Sequence, residues 1–281
     1  MNVTTVLALD SSTLFASVAL VTGDAAAPRI LAQAQTDVAT HSERLLVLVD
    51  EVLGEAGLGL DDVDGIAVGA GPGSFTGLRI GMATAKGLAF AAGKPLWATS
   101  SLAALALEAS AHVADLGHDR EEGSGEEGSG DDAERPDVPD GAPLVLAVMD
   151  ARRGEVFVGF YRVAPGTVVP VVAERVMAPE ALRDAALDMK SAGASRLLAA
   201  GDGLTVHAGP LGVEGDRLLD GLVEIIPGVP PTPKARAVAR LALGSDRHDV
   251  LTSGAPAYIR LSEVEIKFPH GNPGGSFAPR E

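Results

Sequence analysis

Short apolar runs alternate along this chain with longer segments of helical spacing, and the first pattern repeats. Thr5-Val-Leu-Ala-Leu-Asp10 reads as a buried strand ending in an acid. A Ser11-Ser-Thr-Leu14 turn and a second β-rich run, Phe15–Val21, complete a predicted hairpin. The same order returns at Leu144–Asp150, Ala151-Arg-Arg-Gly154 and Glu155–Tyr161. Each hairpin precedes helical candidates and a further apolar strand, 65–70 in the first half and Arg196–Gly201 in the second. Thr40-His-Ser-Glu43 fits a capping box, and Leu45, Leu48, Val49, Val52 and Leu53 recur at helical spacing, with Gly54 and Gly57 ending the helix. Leu46 and Val47 widen its apolar arc. Pro179–Ala192 reads as a helix with proline in its first turn, Pro227–Pro233 as a rigid loop, and Ala235–Leu243 as a short final helix.

The segment Gly69–Ala89 carries the densest signal. Gly69, Gly71 and Gly73 follow an apolar strand and permit backbone conformations closed to other residues. Ser74 or Thr76 is placed to cap the next helix, whose first N–H groups lack helical partners. Along that helix Gly77, Gly81, Ala85 and Ala89 form a stripe of small side chains. Each interior glycine costs roughly 0.8–1.0 kcal/mol relative to alanine, so something approaches closely there, the chain's own backbone or a partner. The spacing matches neither G-x-x-x-x-G-K-[ST] nor a clean G-x-G-x-x-G, which leaves a phosphate-cradling loop weakly supported. With the 40–54 helix, the stripe offers more apolar or flat surface than one sheet face needs, and oligomerisation through the two helices follows as an expectation.

Two similar α/β halves, each presenting an aspartate at the end of its first strand, make up an actin-like layout. Composition agrees: 281 residues, 46% hydrophobic and 4% aromatic, give a core built from Ala, Val and Leu. Cysteine is absent, which excludes thiol nucleophiles and cysteine metal clusters. The N-terminus lacks the basic lead of a signal peptide, and no apolar run approaches the roughly 20 residues of a membrane span, so the expectation is a cytoplasmic chain without membrane contact. The net charge of −16 disfavours direct nucleic-acid binding. Between Asp115 and Gly141, eleven acids face two arginines, with Glu121-Glu-Gly-Ser-Gly repeated to Gly130. That stretch is expected to be a disordered, solvated insertion. The predicted organisation is an N-terminal lobe over 1–113, the insertion over 114–142, a C-terminal lobe over 143–268 and a flexible tail over 269–281. The final helix near 235–243 could pack back on the first lobe.

The six histidines, His41, His112, His118, His207, His248 and His270, contain no H-x-x-x-H or H-E-x-x-H pair. Asp10 and Asp150 could orient a magnesium-bound water, but Arg152 and Arg153 follow Asp150 closely enough to hold it in an ion pair. Asp202, within Gly201-Asp-Gly203, reads as a turn residue and a weak nucleotide candidate.

Gly71-Pro-Gly-Ser-Phe-Thr-Gly-Leu-Arg-Ile-Gly81 resembles the signature of the TsaB (YeaZ) family, bacterial partner proteins in tRNA threonylcarbamoyladenosine biosynthesis. The resemblance extends over Leu7-Ala-Leu-Asp-Ser-Ser12, His41-Ser-Glu-Arg-Leu-Leu46, Met149-Asp-Ala-Arg-Arg-Gly-Glu-Val156 and Pro256-Ala-Tyr-Ile-Arg260. It implies an actin-like (ASKHA) fold of two ribonuclease-H-like lobes, each opening with a β-hairpin. It also implies a heterodimer with a catalytic paralogue, TsaD, which modifies the adenosine beside the anticodon of ANN-decoding tRNAs. An ATPase, TsaE, joins the complex, and tRNA is reached only through it. The pairing surface implied is the helix pair 41–53 and 74–92, with His41, Leu45, Leu48, Val49, Val52, Ser74, Phe75, Thr76, Gly77, Arg79, Gly81, Ala85 and Ala89 as contact residues. Because an exposed apolar face seeks cover, a homodimer through the same helices is the expectation when the paralogue is absent. Asp10, Ser11, Ser12, Gly71, Gly73 and Asp150 are the nucleotide-proximal candidates. The paralogue holds its metal with two histidines on the helix after the strand leading into the second lobe. The matching segment here, Ala98-Thr-Ser-Ser-Leu-Ala-Ala-Leu105, has none, so no metal, cofactor or peptidase activity is expected. Active actin-like kinases read Asp-x-Gly-[ST]-[ST] in the first turn, whereas this chain reads Asp10-Ser-Ser-Thr13. A non-catalytic partner is the expectation, with a stand-alone weak ATPase or kinase as the alternative.

Overall fold

The structure, a computed structural model, describes residues 4–24, 26–36, 41–115, 138–139 and 141–259. The Thr40–Glu43 capping box, the acid-rich part of the insertion and the C-terminal tail lie outside the described residues.

The first half contains β1 (Thr4–Asp10), β2 (Ala16–Gly23), β3 (Arg29–Thr36), α1 (His41–Ala56), β4 (Gly65–Gly69), α2 (Phe75–Ala92), β5 (Leu96–Thr99) and α3 (Ser101–Asp115). Its sheet has the order β3-β2-β1-β4-β5, antiparallel on the hairpin side and parallel from β1 to β5. Alternation along β1 decides the layers. Leu7 and Leu9 face a core shared with α1 and α2, and Val6 and Ala8 face a second core on the opposite side. Helix α1 runs through Gly54, expected to end it, and stops at Ala56, where Gly57 takes φ +66°.

The second half contains β6 (Leu144–Arg152), β7 (Glu155–Ala164), β8 (Thr167–Pro170), β9 (Arg175–Met177), α4 (Leu182–Ser191), β10 (Leu197–Ala200), α5 (Gly203–Val206), β11 (Arg217–Leu218), β12 (Val223–Ile225) and α6 (Ala235–Leu243). The path β8-β7-β6-β10-β12 repeats the first sheet strand for strand and direction for direction. This duplicated order is that of two ribonuclease-H-like lobes, the actin-like fold. The segment expected as one helix from Pro179 is a 3₁₀ turn over Pro179–Ala181 followed by α4.

The lobes join through α3, which the periodicity did not single out. Its Ala104 and Leu107 pack under the first sheet, and its Leu102, Leu105, Ala106 and Ala109 pack under the second. Helix α6, from the far end of the chain, returns to the first sheet and lays Ala235, Ala237, Val238, Ala239, Ala242 and Leu243 into its core. One ion pair pins α6 to α3. The Glu108 carboxylate, 5% exposed, accepts from Arg236 Nε at 2.9 Å and Nη2 at 2.5 Å. Across the joint, Ser100 and Tyr161 hydroxyls both donate to Glu174.

Helix α2 approaches the β1–β2 turn unusually closely. Ser74 caps it, accepting from Gly77 N at 3.3 Å, and Ser74 N donates to Ser12 O at 2.6 Å. Ser11 Oγ donates to Gly77 O at 2.9 Å. A Cβ at Gly73 would collide with Ser12 O, one at Gly77 with Ser11 O, and one at Gly81 with Ser11 Oγ. The glycines of the small-residue stripe are therefore packed against the chain's own Ser11, by its carbonyl at Gly77 and its hydroxyl at Gly81.

Two substitutions separate this contact from helix propensity. Gly77→Ala is expected to lower stability by about 1–3 kcal/mol through overpacking against a carbonyl. Gly87→Ala on the same helix, where an added Cβ meets nothing within 4 Å, is expected to raise it by about 0.5–1 kcal/mol. Urea denaturation of both variants checks the pair, and equal effects would contradict the packing described. Arg236→Met, which strands the buried Glu108 carboxylate, is expected to cost roughly 3 kcal/mol in the same assay.

Candidate functional site

Where the lobes face each other, a cleft of about 640 Å³ opens between the two hairpin turns. From the first lobe it is lined by Ser12–Leu14 and the start of α2, from the second by Asp150–Arg153, Phe157 and Asp202, with Ala257–Ile259 at its rim.

Asp10 does not reach this cleft. It is 1% exposed, and both carboxylate oxygens are taken within the first lobe. Oδ1 accepts from Ser12 N at 3.0 Å and Ser12 Oγ at 2.7 Å, and Oδ2 accepts from Ser101 Oγ at 2.8 Å. Burial pushes its pKa above the usual carboxylate range, opposed by the Ser12 and Ser101 hydrogen bonds. Gly69 has no room for a side chain because Asp10 Oδ2 occupies the space. Ser11 and Ser12 are likewise committed, to Gly77 O and to Ser74 N and Asp10. Within the turn, Ser12 N and both serine hydroxyls are thus bonded inside the first lobe, while Thr13 and Leu14 line the cleft.

Asp150 does line the cleft and Asp10 does not, so the fold does not bring together the two acids that could have oriented a magnesium-bound water. Asp150 Oδ1 meets His207 Nε2 at 2.9 Å and accepts from Arg152 N at 2.9 Å, while Oδ2 lies 3.4 Å from Arg152 Nη1. The expected arginine partner is present, and His207 is an addition that no spacing in the sequence signals. The acid beside Asp150 is Asp202, whose Oδ1 accepts from Asp150 N at 3.0 Å. Burial raises the Asp202 pKa to about 6, with the Asp150 charge adding to the effect and its N–H opposing it. Among the described residues no group of three or more His, Asp or Glu is placed to hold a metal ion.

The helix pair α1 and α2 presents a different set of side chains from the one expected. Leu45, Leu48, Val49 and Val52 are buried in the first lobe's own core, as are Ala85 and Ala89, while Gly77 and Gly81 back onto Ser11. All eight face inward: the amphipathic spacing on α1 and the small-residue stripe on α2 each mark the side turned to the lobe's own core. His41's side chain is outside the description. Ser74, Phe75, Thr76 and Arg79 remain exposed. The outward surface is made by Leu46 (53% exposed) and Val47 (61%) on α1 and by Phe90 (80%) on α2. Phe75, Arg79, Ala83, Gly87 and Ala91 are all exposed and fall on one i, i+4 row of α2. Exposed apolar side chains beside a flat row of Ala and Gly suit close approach by another helix. No described helix is long and apolar enough to cross a membrane.

A family model described as TsaD: tRNA N6-adenosine threonylcarbamoyltransferase matches residues 32–117, the stretch from β3 through α1 and α2 into α3. The chain is 48% identical over 103 residues to the tRNA threonylcarbamoyladenosine biosynthesis protein TsaB of Haemophilus influenzae. It is 32% identical over 157 residues to the protein of the same name from Escherichia coli. Those alignments take in 36% and 56% of this chain and 42% and 54% of the relatives, so the chain spans about half the length of the curated relatives it matches. Among solved structures, a Pseudomonas aeruginosa protein described as uncharacterized with similarity to peptidase YEAZ superposes with a TM-score of 0.64 at 28% identity, over 92% of this chain and all of that one. YeaZ from Pseudomonas aeruginosa superposes with a TM-score of 0.57 at 30% identity, over 86% of this chain and 90% of its own. With the signature at Gly71–Gly81 forming the contact between α2 and the first hairpin, and that identity carried across nine-tenths of YeaZ, the chain belongs to the TsaB (YeaZ) family.

Proposed function

We propose that this chain is a non-catalytic subunit in the synthesis of N6-threonylcarbamoyladenosine in tRNA. In this reading it pairs through the outer face of α1 and α2 with the catalytic TsaD-type paralogue. A TsaE-type ATPase joins the pair, and tRNA is contacted only in the complex. Without the paralogue, the same face joins two copies of the chain. The observation that carries the reading is the closed first turn: Asp10, Ser11 and Ser12 are bonded to Ser101, Gly77 and Ser74 of their own lobe. A turn so occupied supports assembly rather than phosphoryl chemistry. Leu46, Val47 and Phe90, bare on the other side of the helices, supply the surface for it. The family model's match over 32–117, centred on these helices, fits a chain that shares its pairing element with the enzyme.

The test is reconstitution of tRNA modification with the purified chain, paralogue and ATPase. Gly81 is a poor probe, since any side chain there strikes Ser11 and perturbs folding. Leu46→Asp and Phe90→Asp, both at exposed positions, are expected to weaken pairing at least tenfold and to abolish modification while leaving the melting temperature within a few degrees. Unchanged pairing in both variants would overturn the proposal.

The alternative, an actin-like ATPase acting alone, draws on the Asp150–Asp202 pair in the cleft. It requires ATP turnover by the isolated chain that Asp202→Asn removes. The partner reading expects that variant to keep full modification activity.

Asp202→Asn has a further signature in stability. With a folded pKa of about 6 against 3.8 unfolded, Asp202 is best tolerated protonated, so its charge increasingly disfavours the fold as pH rises from 4 through 6. The asparagine keeps the acceptor for Asp150 N and removes the charge. It is expected to stabilise the protein by about 1–3 kcal/mol at pH 7–8, and the gain is expected to vanish as the pH falls below 3.8. Urea melts in the two pH ranges check this.

A further inference from the structure

The last described residues of the chain do more than trail away from α6. The segment after α6 runs back along the first lobe, with Val250 N donating to Leu96 O at 2.8 Å. Ala257 N then donates to Ala70 O at 2.7 Å, beneath the start of α2. Gly71, at φ +118°, leaves space that Ala257 O fills, 2.9 Å from where a Cβ would stand. This strap delivers Tyr258 to the first turn of α2. Its ring centroid lies 4.8 Å from that of Phe75, and its hydroxyl meets Arg79 Nε at 3.1 Å. The Arg79 guanidinium lies 3.8 Å over the Phe75 ring.

An exposed arginine ordinarily samples many rotamers, and fixing it on binding costs free energy. Here the side chain is held from two sides before any partner arrives. Only Nε is used by Tyr258, and a guanidinium carries four further N–H donors on its terminal nitrogens. Arg79 stands next to Phe75 where the mouth of the cleft, which both residues line with Tyr258, meets the head of the exposed row that continues through Ala83, Gly87 and Ala91. The flat part of that row offers no polar group to set register; Arg79 does. A rigid arginine flanked by aromatic rings at the edge of an apolar patch has the composition of an interface hot spot.

We infer that the C-terminal strap pre-orders Arg79 as the polar anchor of the α2 docking row, and that the anchor receives a carboxylate from the partner protein. The inference rests on the pairing reading above and deepens it. Tyr258 is a positioning residue, acting through Arg79. A carboxylate fits because a held, planar guanidinium binds one in two-pronged geometry, which lysine cannot reproduce.

The experiment is a binding titration of the full chain against the purified TsaD-type paralogue, with thermal melts run in parallel. Arg79→Ala and Arg79→Lys are each expected to weaken binding roughly tenfold or more, lysine giving no rescue. Tyr258→Phe, which keeps the ring and loses the hydroxyl, is expected to weaken it about threefold, and Tyr258→Ala about tenfold. In the Arg79→Ala background, Tyr258→Ala is expected to add nothing, because its effect passes through Arg79. A merely structural Tyr258 would add its full effect in that background, and additive losses overturn the inference. So does unchanged binding in Tyr258→Ala and Arg79→Ala while Phe90→Asp abolishes pairing, an outcome that leaves the pairing reading standing. If Phe90→Asp and Leu46→Asp also leave binding intact, the pairing reading falls with it.

Discussion

The contact between the Ser11–Ser12 turn and the first half of α2 governs the rest of this structure. Three glycines, at 73, 77 and 81, let the helix lie against Ser12 O, Ser11 O and the Ser11 hydroxyl in turn, and Ser11 Oγ and Ser12 O bond to it. One consequence is chemical. In an actin-like fold the turn after the first strand faces the cleft between the lobes, where free N–H groups could hold phosphate. Here Ser12 N is bonded to Asp10 and the Ser11 hydroxyl to α2, and Asp10 is itself closed off by Ser12 and Ser101. The cleft persists, but its ionisable groups come from the second hairpin and from Asp202.

The other consequence is geometric. Because glycine and alanine face inward, α2 sits close to the sheet, and its outward row is also short-chained: Ala83, Gly87 and Ala91. The helix is thin on both sides. The inner side is satisfied by the chain itself, and the outer side, with Leu46, Val47 and Phe90 around it, is not. Helix α3 packs under both sheets, and the Glu108–Arg236 pair ties α6 to it. The strap through Tyr258 reaches Arg79.

The duplicated hairpins were legible in the sequence because a buried strand, an acid at its end and a short polar turn recur in order, and period-two burial follows directly from a pleated sheet. The joint was not. Helix α3 is buried on both sides, between two sheets, and such a helix loses the polar stripe that marks amphipathic periodicity. Close approach at the glycine row could be read from composition, but its direction could not: a row of Gly and Ala looks the same whether it meets its own turn or another molecule. A resemblance that points to a helix pair likewise leaves open which face pairs: the regular helical spacing of Leu45, Leu48, Val49 and Val52 identifies the core-facing side. The informative residues were those that broke the pattern, Leu46 and Val47, together with Phe90 at the end of α2. His207 reaches Asp150 from 57 positions away, a pairing only the folded chain reveals.

Hydroxyl-radical footprinting of the chain, at a concentration low enough to keep it monomeric and then saturated with the paralogue, addresses the central claim most directly. The account requires Leu46, Val47 and Phe90 to react readily alone and to be shielded in the mixture, with Leu14 and Phe157 at the cleft unchanged. Shielding of the cleft residues with Leu46, Val47 and Phe90 still reactive would contradict it.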